Sequence, residues 1–94
     1  MFEISMPEAG RIVMSGRFDA SQVSKAQALF DTVGGSCVID CSGLEYISSA
    51  GLGVLLGAYK RLDEQGASLK LTGMRKLVRD VFRYSRMDTI FEVE

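Results

Sequence analysis

The chain has 94 residues, of which 47% are hydrophobic and 24% charged, and its net charge is −1. That composition supplies one hydrophobic core, places residues 1–94 in a single domain and excludes a second one. The weak net field argues against a general affinity for nucleic acid or anionic lipid.

In chain order, Phe2, Ile4 and Met6 alternate with Glu3 and Ser5, which predicts a half-buried strand. Pro7-Glu8-Ala9-Gly10 reads as a turn, and Arg11–Gly16 as the antiparallel partner in a hairpin. Asp19 opens a helix, with Gln22 completing a capping-box pattern. Val23, Ala26, Phe30 and Val33 follow at helical spacing, with Leu29 alongside, and Gly34-Gly35 reads as the stop where φ > 0 is useful. Ser36–Asp40 is a strand whose apolar run Cys37-Val38-Ile39 predicts burial on both faces, and a short loop is expected between it and the serine pair Ser48-Ser49.

A second helix is expected from about Ala50 to Gln65, ended by Gly66, with Leu52, Leu55, Leu56, Tyr59 and Leu62 as its apolar stripe. Gly53 and Gly57 each cost that helix roughly 1 kcal/mol against Ala, which predicts close approach to the sheet or to a partner. Ser68–Thr72 alternates strictly and reads as a strand with one wet face. A third helix from Met74 to about Tyr84 is expected to bury Leu77, Val78, Val81 and Phe82, and a last strand to take Ile90, Phe91 and Val93. The order β-β-α-β-α-β-α-β predicts an α/β fold: an initial hairpin, then a mostly parallel sheet with right-handed crossovers and helices mainly on one face.

The chemistry-bearing residues are few. The chain has no histidine and only two cysteines, too few ligands for a zinc site, and no metal or cofactor is expected. Cys37 and Cys41 lie roughly 13 Å apart along an extended chain, too far for a disulfide. They read as small buried hydrophobes, the other reading being a reactive thiol at Cys41. Without histidine, and with no evident base beside Cys41, an activated nucleophile is hard to build, so the chain does not read as an enzyme. The early acids of Met1–Glu8 do not make a secretory signal, and no segment reaches the ~20 apolar residues of a membrane span, so a cytoplasmic protein without direct membrane insertion is expected.

Arg75, Lys76, Arg79, Arg83 and Arg86 form a basic stripe that reads as a solvated helix face or, second, as a dock for an acidic partner. Met6, Met14, Met74 and Met87 read as core fillers. Gly51-Leu52-Gly53 lacks the following Lys-Ser/Thr of a phosphate-cradling loop and the third spaced glycine of a dinucleotide loop. Ser48 and Ser49 stand where the second helix begins, and their spacing fits both helix capping and a modifiable hydroxyl. Asp19 fits a cap or a partner contact, and Ser42-Gly43 a turn or part of the same surface.

Two motifs carry a family resemblance over nearly the whole chain. Asp40-Cys41-Ser42-Gly43-Leu44 followed by Tyr46-Ile47-Ser48-Ser49-Ala50-Gly51-Leu52-Gly53, with Gly16-Arg17-Phe18-Asp19 before the first helix, resembles the anti-sigma factor antagonist family, the STAS domain. The resemblance implies a regulator. Its unphosphorylated form binds a serine-kinase anti-sigma factor and releases the sigma factor; phosphorylation of the motif serine weakens the complex, and a metal-dependent serine phosphatase restores it. By position the acceptor is Ser49, with Ser48 a second hydroxyl where the family commonly has Asp. The implied partner surface takes in Asp19, Ser42, Gly43, Ser48, Ser49, Ala50, Gly51 and Gly53. A constitutive STAS scaffold subunit of a transport or signalling complex is the alternative. The family's usual Gly after the third helix is replaced by Ser85-Arg86.

Overall fold

A computed structural model describes residues 1–94. Five strands form one sheet in the order β1 (Phe2–Glu8), β2 (Arg11–Phe18), β3 (Cys37–Ile47), β4 (Leu69–Thr72) and β5 (Glu92–Val93). β1 is antiparallel to β2, and every later pair is parallel. The crossovers carry α1 (Val23–Phe30), α2 (Ser49–Glu64) and α3 (Lys76–Tyr84). This is the α/β arrangement expected from the element order.

The core lies between the three helices and one face of the sheet. Ile12, Met14 and Phe18 of β2, Ile39, Leu44 and Ile47 of β3, and Leu69 and Leu71 of β4 meet Phe30, Leu55, Leu62 and Phe82 from the helices. The other sheet face is open to solvent. On it Arg11 pairs with Asp40 at 3.5 Å, and Lys70 with Glu92 and Glu94 at 3.3 and 3.0 Å.

Several expectations are corrected. β3 does not end at Asp40 but runs to Ile47, so Cys41–Ile47 is strand rather than loop. A register shift against β2 between Asp40 and Gly43 lets it pass Ser42-Gly43 without turning, and a second follows between Leu44 and Tyr46. Nor is β3 covered on both faces: Val38 is 40% exposed, because an unbroken apolar run does not reveal how many faces a strand buries. The turn after β1 shrinks to Ala9-Gly10, and Pro7 sits in the strand, tolerated because β1 is an edge.

α1 ends at Phe30, before Gly34-Gly35, and neither glycine takes a positive φ. A single 3-10 turn, Ala20–Gln22, precedes it. Leu77 is 59% exposed: the 3.6-residue period allows several faces of α3, and the core takes Val78 and Phe82. Met6 and Ile90 are exposed as well, leaving Met14 and Met74 as the buried methionines.

Two glycines hold special backbone. Gly16 has φ +83°, and a Cβ there would fall 1.5 Å from the carbonyl oxygen of Met1, which accepts the Arg17 N–H at 3.0 Å. Gly66 (φ +75°) closes α2 as expected. Its N–H donates to the Asp63 carbonyl at 3.0 Å and the Ala67 N–H to the Leu62 carbonyl at 2.8 Å, a Schellman ending. No helix is long and apolar enough to cross a membrane.

Candidate functional site

The C-terminal ends of the parallel strands bring Asp19 to Ser48 and Ser49. The Ser48 N–H donates to the Phe18 carbonyl at 2.9 Å, so the residue after β2 and the residue after β3 leave the sheet side by side. Ser48 has extended backbone (φ −89°, ψ 170°) and caps α2: its Oγ accepts the Gly51 N–H at 3.2 Å, and its carbonyl accepts the Leu52 N–H at 2.9 Å. Ser48 is half-buried.

Ser49 is the first residue of α2 and is exposed, and its hydroxyl makes no hydrogen bond within the protein. The two serines therefore differ in kind: one hydroxyl is engaged in holding the helix, and the next is free. The N–H groups of Ser49 and Ala50 have no carbonyl inside the helix to bond, and the first turn holds no acidic side chain. The spot is electropositive and uncharged, suited to an added anion.

Asp19 is half-buried and caps the 3-10 turn before α1. Its Oδ1 accepts the Ser21 hydroxyl and the Ser21 N–H, the latter at 3.0 Å. The Ser21 hydroxyl bond, with the backbone bond and Arg17 adding to it, holds the carboxyl below its ordinary pKa. The capping box is only half made. The Gln22 amide donates to Ser21 Oγ at 3.1 Å instead of turning back to Asp19.

Gly51, one of the residues of the implied partner surface, is buried against β2 and β3. A Cβ there would come within 2.9 Å of Ile47 Cγ1 and 3.1 Å of the Phe18 ring and carbonyl oxygen. Its missing side chain lets α2 start close to the sheet. Gly53 and Gly57 are the reverse: both are exposed, with nothing within 4 Å of a built Cβ, so the sheet does not explain them. With Ser49, they leave the outward side of the first turns of α2 nearly flat.

Ser42 and Gly43 do not join this cluster. Both lie inside β3, and from Gly43 to Ile47 the strand rises on the order of 13 Å. Ser42 serves α3 instead, its carbonyl accepting Arg75 Nε at 2.9 Å. A Cβ on Gly43 would meet Ser15 Cβ at 2.9 Å, so its role in the sheet is close strand contact.

Arg17 and Tyr46 were missed in the sequence. They are register partners across β2 and β3, with the guanidinium 4.5 Å from the ring centroid, at the same end of the sheet as Ser48. The β2 alternation continued past Gly16 turns Arg17 away from the core, but its pairing with Tyr46 follows only from the register of β2 against β3.

Cys37 and Cys41 are both buried and unpaired. Burial, with Asp40 adding to it, pushes the Cys41 thiol up to about 12, which leaves almost no thiolate near neutral pH. No group of histidine, cysteine or acidic side chains is gathered for a metal ion.

The family model described as "Mlab, STAS domain" matches residues 3–92. No curated protein matches the chain by sequence. Solved structures do match in fold. The unphosphorylated anti-sigma factor antagonist SpoIIAA superposes with a TM-score of 0.79 at 21% identity, over 100% of this chain and 88% of that one. The phosphorylated form of the Bacillus cell fate determinant SpoIIAA gives 0.71 at 20% identity, over 100% and 91%. An anti-sigma-factor antagonist (STAS) domain protein from Planctomyces limnophilus gives 0.79 at 20%, over 99% and 87%.

Proposed function

This chain belongs to the STAS-domain family, and from that premise we propose that it is a phosphorylation-switched anti-sigma factor antagonist. In this reading the unmodified domain binds a serine-kinase anti-sigma factor in the cytoplasm and frees the sigma factor. Phosphorylation of Ser49 ends the binding, and a metal-dependent serine phosphatase restores it. Neither nucleic acid nor a membrane takes part directly, and the domain itself is not an enzyme.

The observation that carries this reading is the division of labour between adjacent hydroxyls: Ser48 is bonded into the cap, while Ser49 is exposed and unbonded. Phosphoserine adds about −1.5 to −2 charges and three acceptor oxygens. At the first residue of α2 that charge meets the free N–H groups and positive end of the helix, so the host fold tolerates it. A partner packed over Ser49 and the flat Gly53 side would have to desolvate the same charge, and its affinity falls. Asp19, placed beside Ser48, and Ala50 fall within that contact area. Ser42 and Gly43, farther along β3, extend it only if the partner also spans the sheet. SpoIIAA, whose fold this chain shares, is known in a phosphorylated and in an unphosphorylated form.

The test uses Ser49→Ala and Ser49→Asp against a serine-kinase anti-sigma factor. Binding is expected to persist in the Ala variant and to be lost in the Asp variant, both remaining folded. Intact-mass analysis after incubation with kinase and ATP should show one added phosphoryl group on the wild type and none on Ser49→Ala. A phosphoryl group still added to Ser49→Ala, and lost when Ser48→Ala is combined with it, would move the acceptor to Ser48.

A second reading, a permanently bound scaffold subunit of a transport or signalling complex, draws on Ser48. It stands where the family's switched members commonly carry Asp, and the bare Gly53–Gly57 side suits lasting close contact. Equal binding by both Ser49 variants would favour it.

A further inference from the structure

The outer side of α3 combines features that the Ser49 site does not use. Leu77 is 59% and Tyr84 88% exposed. They are seven residues apart, so at about 100° per residue they stand on the same side of the helix, two turns from each other. Across the rest of the exposed arc run Lys76, Arg79 and Arg83, with Arg75 and Arg86 at the helix ends. Asp80 is held by Lys76 at 2.9 Å and Arg83 at 3.8 Å, whereas Arg79 and Arg86 have no ion pair.

Residues 75–88 thus carry five basic side chains against Asp80 and Asp88, in a chain whose net charge is −1. The positive charge is segregated onto one short helix, beside two large side chains that burial did not claim. The helix is held firmly beneath them: Val78 and Phe82 are buried, Phe82 meets Phe91 edge-on at 5.7 Å, and Arg75 bonds the Ser42 carbonyl.

We propose that α3 is a second docking surface, and that it takes an acidic amphipathic helix of a partner protein. Leu77 and Tyr84 would receive the apolar side of that helix, and Lys76 and Arg83, roughly 100° around α3 from them, its carboxylates. Charge complementarity selects this occupant, since tyrosine and arginine beside each other are the side chains that anchor protein interfaces. An anionic bilayer fits less well. The helix is nine residues long and exposes only two large apolar side chains, little to bury in a headgroup layer.

The test is nuclear magnetic resonance titration of the isotope-labelled chain with a synthetic helical peptide of Glu and Leu, leucine at i, i+3, i+4 and i+7. Shift changes are expected at residues 75–86 and to weaken with added salt. Leu77→Ser with Tyr84→Ser should weaken binding at least about tenfold, and Lys76→Glu with Arg83→Glu should abolish it. All four side chains are exposed, so both double variants should fold, which their spectra report. Ser49→Asp should leave the titration unchanged, which separates failure here from failure of the switch at Ser49. The proposal is overturned by no shifts on α3, by equal binding of a Lys/Leu peptide, or by capture of the chain on phosphatidylglycerol vesicles without peptide binding. Self-association that the Leu77/Tyr84 variant abolishes would overturn it in favour of a second copy.

Discussion

Ser48 Oγ accepts the N–H of Gly51 at 3.2 Å, and this bond distinguishes two serines that are otherwise neighbours of the same type. Removing it should cost stability, whereas removing the next hydroxyl should not. Ser48→Ala is expected to lower unfolding free energy by about 1 kcal/mol, and Ser49→Ala by less than about 0.5 kcal/mol. Ser48→Asp should keep the cap, since Asp is an equally good N-cap and its charge faces the positive end of α2. Urea unfolding of the three variants checks the ranking.

The glycines of α2 should split by sign. Gly51→Ala forces a methyl against Ile47 and the Phe18 backbone, and should destabilise by about 1–3 kcal/mol. Gly53→Ala and Gly57→Ala place a methyl in open space, and each should stabilise the isolated domain by about 0.5–1 kcal/mol. If both outer substitutions raise the urea midpoint yet weaken partner binding, the bare side of α2 is kept for contact rather than for folding.

Arg86 is the one non-glycine residue with positive φ, at +63°. It follows Ser85 at the end of α3, where a left-handed residue is normally Gly. Arg86→Gly should raise stability by about 0.5–1 kcal/mol, the relief of left-handed strain less the extra freedom of the unfolded chain. Thermal and urea unfolding measure it, and a fall in stability would mean that the Arg86 side chain holds something the backbone cost conceals.

Asp40 should shape the acid limb of the stability curve. The Ser42 N–H at 2.9 Å, then the Ser42 side chain, and Arg11 beyond them hold its carboxyl below the ordinary value of 3.8, against a smaller opposing effect of burial. A depressed folded pKa contributes stability that is complete above the unfolded value and is lost as pH falls through the folded one. The urea midpoint should therefore drop from about pH 4 downward, and Asp40→Asn should flatten that drop while also lowering stability at neutral pH.

How legible this was in the sequence varied with the physical signal. The Ser48-Ser49 pair marks the start of α2 in the sequence, because a hydroxyl there suits a cap, but only the backbone shows that Ser48 is the one bonded to the Gly51 N–H. The order of strands and helices followed from period and from Gly66. β3 reads short in the sequence because Ser42-Gly43 has the composition of a turn, and only pairing with β2 shows that the strand continues. Val38 and Leu77 were placed inside for a related reason. Apolar residues next to other apolar residues do not state which face the core will choose, and that choice is made by the neighbouring elements. The Arg17–Tyr46 contact depends on a register set by two irregularities, which no local pattern announces.

α2 is finished at both ends by its own chain, through Ser48 at the start and the Gly66–Ala67 reversal at the close. A partner that docks on it meets a pre-organised object. Association then requires little ordering of this chain, so little of the binding energy is lost to that cost. If the proposed switch at Ser49 holds, one phosphoryl group would act as a sharp toggle on such a rigid platform, without any rearrangement to carry the signal.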